Sequence, residues 1–308
     1  MESPFRVIDV SPSTPPRTPA HDEVLVGVGS HPFRAPAGFD VLLTGAEDAP
    51  RPWVACTDPE STARRLAGRV DRHPQAALAL VHVLRMGAAL TPPERLLVES
   101  LAYATLQGGA DFRAWLTDAR RPASRPAAQP VRLGRNGDRL TIVLDRPQAR
   151  NAFDAAARDA LCEALDVAVA DPSVTRVDLR GAGPAFCSGG DLSEFGTSRD
   201  TAEAHRIRMT RSPAALLLRC ADKVTAHLHG ACVGAGVELA AFAGRVTATT
   251  DTVIRLPEVE MGLIPGAGGT ASLPLRIGRE RTAYLALSGV RLTAPDALHW
   301  GLVDEVTE

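Results

Sequence analysis

The chain has 308 residues, 45% of them hydrophobic, with a formal charge of −2 at pH 7 and a pI near 6.5. That length buries a full core in one large domain, or in one domain plus an accessory unit. The balanced charge excludes a basic nucleic-acid-binding face as the main design. No apolar run reaches membrane-spanning length, and the polar, proline-rich N-terminus lacks the layout of a signal peptide. The five cysteines (Cys56, Cys162, Cys187, Cys220 and Cys232) show neither metal-ligand nor disulfide-framework spacing. These features predict a cytoplasmic protein with no metal and no membrane partner. Cys187 and Cys232 lie in glycine-rich loops without an accompanying histidine–asparagine pattern, so they read as small buried thiols rather than nucleophiles.

Residues 1–22, rich in Pro, Ser and Thr, read as a flexible tail. Short strands are predicted at Glu23–Val28, Phe39–Thr44 and Trp53–Thr57, with Gly, Pro and acidic residues between them. Asp58-Pro-Glu60 supplies a cap, a first-turn proline and an acid at a helix start. Further helices fit Pro74–Met86, Pro92–Gln107 and Ala110–Arg120. Residues 123–130, within the proline-rich run from Arg121 to Pro130, form a linker. They divide a 23–122 region of small strands and helices from a 131–308 core.

Beyond the linker a strand–turn–helix rhythm sets in. Strands are predicted at Val131–Gly134, Leu140–Leu144, Arg176–Arg180, Val224–Leu228, Val246–Thr249 and Val253–Arg255. Helices fit Asp154–Ala168, Ala202–Leu218, Val237–Ala243, a segment after Gly269, Arg279–Ser288 and Pro295–His299. The alternation argues for an α/β fold with helices on sheet faces.

Two glycine-rich turns follow strands, at residues 181–190 and 230–236. Such a turn most often just lets a helix pack closely. Neither has the GxGxxG or Gly-Lys-Ser/Thr spacing of a nucleotide site. Each can instead present a free backbone N–H at a helix N-terminus, where negative charge is favoured. Beside the second turn stands Glu238, and Glu258 precedes a third glycine-rich stretch twenty positions later. Two carboxylates and two N–H donors are the groups needed to move a proton next to a polarised carbonyl.

The motifs Arg146-Pro-Gln-Ala-Arg-Asn151-Ala-Phe, Ala185-Phe-Cys-Ser-Gly-Gly-Asp191-Leu, His229-Gly…Gly-Val-Glu238-Leu-Ala and Pro257-Glu258…Gly-Ala-Gly-Gly-Thr270 occur in that order. With Arg276-Ile-Gly-Arg-Glu-Arg-Thr-Ala and Gly301-Leu-Val-Asp-Glu-Val306, they resemble the enoyl-CoA hydratase/isomerase (crotonase) superfamily from about Val131 onward. The resemblance implies a crotonase-like (ββα) superhelix core with a helical accessory segment. It implies an oxyanion hole from the backbone N–H of Gly190 and Ala235, with Glu238 and Glu258 as the catalytic acids. Arg146, Arg150 and Ala152 fall on the CoA-binding loop. Ala235 stands where the family usually has glycine.

The implied activity is enoyl-CoA hydration, a hydro-lyase reaction of fatty acid metabolism, with acyl-CoA as substrate and no cofactor. Alternatives are double-bond isomerisation, other acyl-thioester chemistry, and a non-catalytic thioester-binding subunit. Family habit implies homo-trimers or hexamers. The helical pattern from Asp58 to Pro122 is similar to the segment that family members carry after the core, which implies a circular permutation. Arg113, Arg120 and Arg121, near the end of that segment, become further CoA-phosphate candidates. Residues 1–52 match nothing in the family pattern.

Overall fold

Apolar residues at every second position drive the main sheet together. Leu140, Ile142 and Leu144 are buried on one strand, Val224, Ala226 and Leu228 on another, and they pack in one cluster with Leu161, Leu165 and Ala168 of a covering helix. The computed structural model describes residues 3–30, 32–119, 129–198 and 200–308.

The first half contains strands β1 (Phe5–Asp9), β2 (Val24–Gly29), β3 (Val41–Thr44) and β4 (Val54–Ala55). Helices α1 (Pro59–Arg72), α2 (Pro74–Gly87), α3 (Pro92–Gln107) and α4 (Ala110–Asp118) follow. The second half runs β5 (Val131–Asn136), β6 (Arg139–Leu144), α5 (Ala155–Ala170), β7 (Arg176–Gly181), α6 (Thr201–Thr210), α7 (Pro213–Cys220) and β8 (Val224–Leu228). It continues through β9 (Ala231–Val233), α8 (Ala235–Ala240), β10 (Arg245–Thr249), β11 (Val253–Arg255), α9 (Gly269–Ile277) and α10 (Arg279–Ser288). It closes with β12 (Leu292–Thr293), α11 (Ala294–Trp300) and β13 (Glu305–Thr307).

Among the described residues three sheets form. The largest has the order β13-β10-β8-β7-β6-β5, parallel except for the β5–β6 hairpin, and a small one has β12-β11-β9. The N-terminal sheet, β1-β2-β3-β4, is wholly parallel and in chain order. It repeats the order and sense of β7-β8-β10-β13 in the large sheet, with loops where helices would otherwise cross. Arg281 on α10 fastens this small sheet to the core, donating from Nε to the Trp53 carbonyl (2.9 Å) and from Nη2 to the Ala49 carbonyl (2.7 Å).

Two expectations change. Residues 1–22 are not wholly a tail, because Phe5–Asp9 pairs in parallel with β2; the prolines begin only at position 12, apart from Pro4, and leave this stretch free to join a ladder. The single helix expected over 202–218 is two. Ser212 caps α7 by accepting from the Ala215 N–H, with Pro213 in the first turn, and these signals end α6 before them. Helix α3 matches its predicted span and starts with a Thr91/Glu94 capping box. Among the described residues no helix is long and apolar enough to cross a membrane.

Candidate active site

Parallel pairing of β9 with β11 brings the two distant glutamates together. Val253 pairs with Ala231 and Arg255 with Val233, and Gly234 N–H donates to the Arg255 carbonyl at 3.0 Å. The chain leaves β9 through Gly234 into α8, which carries Glu238, and leaves β11 into a single 3-10 turn beginning at Glu258. Gly234 has φ +49, a backbone state that side chains disfavour. A Cβ there would lie 2.4 Å from Glu258 Oε1 and 3.8 Å from Glu238 Oε1. The missing side chain is the space in which both carboxylates converge.

A third segment completes the wall. Cys187 N–H donates to the Ala231 carbonyl and Val233 N–H to the Cys187 carbonyl, so residues 185–190 run alongside β9. Asn151 anchors that segment: its Nδ2 donates to the carbonyls of Ala182 (2.8 Å), Ala185 (2.8 Å) and Phe186 (3.2 Å), while its Oδ1 accepts from Arg146 N–H. Gly190 and Ala235 thereby line one cavity of about 400 Å³ together with Glu238 and Glu258. Neither backbone N–H, at Gly190 or at Ala235, donates to another described residue. Free amides at a cavity wall are poised for an oxygen of a bound molecule.

The acids differ in their surroundings. Glu238 is 2% exposed, and its Oε2 accepts from the N–H of Ala267 (2.8 Å) and Gly269 (2.9 Å) at the start of α9. Glu258 Oε2 is buried without a hydrogen-bond partner among the described residues. Desolvation raises both carboxyls above the ordinary range, Glu258 to about 8, and Glu238 is raised further by the charges of Glu258 and Glu99. Acids this close titrate as a set rather than singly. The two amides on Glu238 favour its anion, so we place the retained proton on Glu258.

Glu99 of α3 is a third buried acid, to which the sequence reading gave no role. It accepts from the N–H of Gly268 and Thr270 and from Thr270 Oγ1, each at 2.7 Å. The amides of residues 267–270 thus alternate between Glu238 and Glu99, tying α3 to the acid-bearing loop. Burial raises its carboxyl to about 7, against the pull of those hydrogen bonds. An acid at 99, three residues after buried Leu96 and on the helix's apolar side, was the available signal.

The remaining candidates disperse. Arg146, 1% exposed, is turned inward between Asp154 (2.9 Å) and Asp191 (3.0 Å), where it braces the Gly190 loop from beneath. Ala152 lines a second cavity of about 630 Å³ that meets the first at Gly190, Asp191, Phe195 and Glu258. Arg150 is exposed beside it, in a left-handed backbone state, and Arg113 is exposed on α4. Arg120 and Arg121, like most of the expected linker, lie outside the described residues. Burial pushes the thiol of Cys187 up to about 12 and that of Cys232 well above its usual range, which leaves both as poor nucleophiles.

A family model for enoyl-CoA hydratase/isomerase matches residues 136–308. The chain belongs to the enoyl-CoA hydratase/isomerase family. It is 36% identical over 177 residues to the enoyl-CoA isomerase/hydratase fer4 of Mycosarcoma maydis, covering 54% of this chain and 64% of that one. Identity to the 2,3-dehydroadipyl-CoA hydratase of Escherichia coli K12 is 34% over 168 residues, covering 54% and 65%. Among solved structures, the enoyl-CoA hydratase of Thermoplasma volcanium GSS1 superposes with a TM-score of 0.54 at 35% identity, covering 58% of this chain and 72% of that one. The fold is therefore that of the crotonases, and the chain spans about two thirds of the length of the curated relatives it matches. Glu238 and Glu258 are the two glutamates that converge at Gly234.

Proposed function

We propose that the protein hydrates 2-enoyl-CoA thioesters, adding water syn across the C2–C3 double bond, and in reverse dehydrates 3-hydroxyacyl thioesters. The observation that carries this reading is the meeting of two buried carboxyls with two unbonded backbone N–H groups in one cavity. The N–H groups of Gly190 and Ala235 receive the thioester oxygen as it gains enolate charge, each contributing about 3 kcal/mol in the transition state. Glu238, its anion held by two amides, takes a proton from the water whose oxygen bonds to C3. Glu258 delivers its proton to C2. Passing the proton from Glu238 to Glu258 restores the resting site. The larger cavity beside Ala152 and Arg150 takes the CoA moiety, and the one around the acids takes the acyl chain.

We further propose that α1–α4 hold the place of the helices that family members carry after the core. Helix α3 packs on α9 and lines the acid-bearing cavity, which supports that reading. A rearranged chain starting at residue 129, with residues 3–119 joined after 308, should keep its turnover; an unfolded or inactive product contradicts the permutation.

The hydratase reading is tested by incubating the protein with crotonyl-CoA and longer 2-enoyl-CoAs and following loss of the enoyl-thioester absorbance. Replacing either acid by glutamine should reduce hydration by about 10²- to 10⁴-fold. An isomerase needs one shuttling carboxylate, so migration of a 3-enoyl double bond that survives one replacement, without hydration of 2-enoyl thioesters, refutes the hydratase reading.

A further inference from the structure

Helices α3 and α6 face each other across the outer part of the acid-bearing cavity, and Arg208 of α6 bridges them. Its Nε donates to Ser100 Oγ (3.0 Å), Nη1 to Gln107 Oε1 (3.1 Å) and Nη2 to the Ser100 carbonyl (3.3 Å). Its Cζ stands 4.8 Å from the centroid of the Tyr103 ring. All of these partners are neutral. Among the described residues no carboxylate oxygen lies within 4 Å of this guanidinium; of the other arginines lining the cavity, Arg158 pairs with Asp159, and Arg211, also without an ion pair among the described residues, is exposed to solvent rather than half-buried.

A guanidinium has five N–H donors, and three are used here. One remains on each terminal nitrogen, the pair that matches the two oxygens of a carboxylate. Partial burial without a carboxylate in contact opposes the charge, with only the fields of Tyr103 and Glu99 acting for it, and an anion arriving with the ligand relieves that cost. Tyr103 adds a donor, since its hydroxyl makes no hydrogen bond to another described residue. Desolvation holds that phenol protonated.

The field of Glu99 reaches the arginine, but the oxygens of the nearby acids are engaged elsewhere. Glu99 is engaged by the Gly268 and Thr270 amides, Asp154 and Asp191 by Arg146, and Glu194 by the Ala155 N–H. The ring of Tyr103 also bridges the two regions: it meets Gly266, next to the amides that hold Glu238, and the guanidinium covers its face.

We propose that Arg208 recognises a carboxylate at the far end of the acyl chain, so that the preferred substrates are 2-enoyl thioesters of dicarboxylic acids. This rests on reading the acid-bearing cavity as the acyl pocket. Arg208 would then act on specificity and not on the reacting carbons. A purely structural role, pinning α6 to α3, would affect charged and neutral acyl groups alike.

Titration calorimetry with two inert saturated ligands, hexanedioyl-CoA and hexanoyl-CoA, separates these roles. The wild type should bind the diacid thioester about 10- to 100-fold more tightly, the range of one charge-assisted hydrogen-bonded pair. Arg208→Gln should abolish that preference while leaving hexanoyl-CoA affinity nearly unchanged, and Arg208→Lys should retain part of it. Equal wild-type affinity for the two ligands, or equal weakening of both in Arg208→Gln and Arg208→Lys, overturns the proposal while leaving the acyl-CoA site intact. Binding of neither ligand overturns the acyl-pocket reading itself, and this inference with it.

Discussion

Replacing Glu258 by glutamine should slow the reaction and at the same time stabilise the fold. Burial raises this carboxyl from 4.5 to about 8. Below pH 4.5 the group is protonated in folded and unfolded chains alike and contributes nothing to pH dependence. As pH rises above 4.5 the unfolded chain ionises while the folded one holds its proton, so stability falls until about pH 8 and then levels off. At about 1.4 kcal/mol per unit, with part of the penalty shared with Glu238 and Glu99, the loss attributable to Glu258 is on the order of 3 kcal/mol. Urea unfolding at pH 5, 7 and 9 measures it. Wild type and Glu258→Gln should nearly coincide at pH 5, and the variant should lead by about 3 kcal/mol at pH 9. Its hydration rate should fall by about 10²- to 10⁴-fold. Parallel stability profiles for the two proteins would refute the claim that Glu258 is held protonated by burial.

Three other substitutions probe the same site. Gly234→Ala puts a methyl 2.4 Å from Glu258 Oε1 at a left-handed φ; it should cost about 1–3 kcal/mol in thermal unfolding and lower turnover with it. Ala235→Pro occupies the first turn of α8, where proline is tolerated, and deletes one unbonded N–H; kcat should fall by about 10²- to 10³-fold at a nearly unchanged Tm. Glu99→Ala strands two buried amides and a hydroxyl and should lower urea stability by about 2–4 kcal/mol, with faster hydrogen exchange along α3.

The elements with strong periodicity were legible from the sequence. Strand β8 and helices α3 and α10 fall on their expected spans, because alternation and end signals there agree with packing. The two glutamates were legible through their motifs, and the β9–β11 pairing that unites them supplies the reason. The expected helix over Ala202–Leu218 runs through the Ser212-Pro213 start signal at which α7 begins. Strand β1 was hidden by averaging Phe5–Asp9 with the prolines after it. The apolar side of α3 signals that Glu99 is buried, but what Glu99 and Arg208 do depends on partners at positions 268–270 and 100–107, fixed only when α3 settles. Arg146 shows the complementary limit, since its motif gives its position but not the inward turn of its guanidinium.

The placement of Glu99 bears on how the chain is made. The ribosome releases α3 about 170 residues before the amides of Gly268 and Thr270 that will receive its carboxylate. Until then the side chain has water as its partner and keeps its charge. When the later segment docks, water leaves and the acid's proton affinity climbs towards neutrality. A side chain hydrated in the nascent chain becomes, in the folded protein, the latch between α3 and the acid-bearing loop.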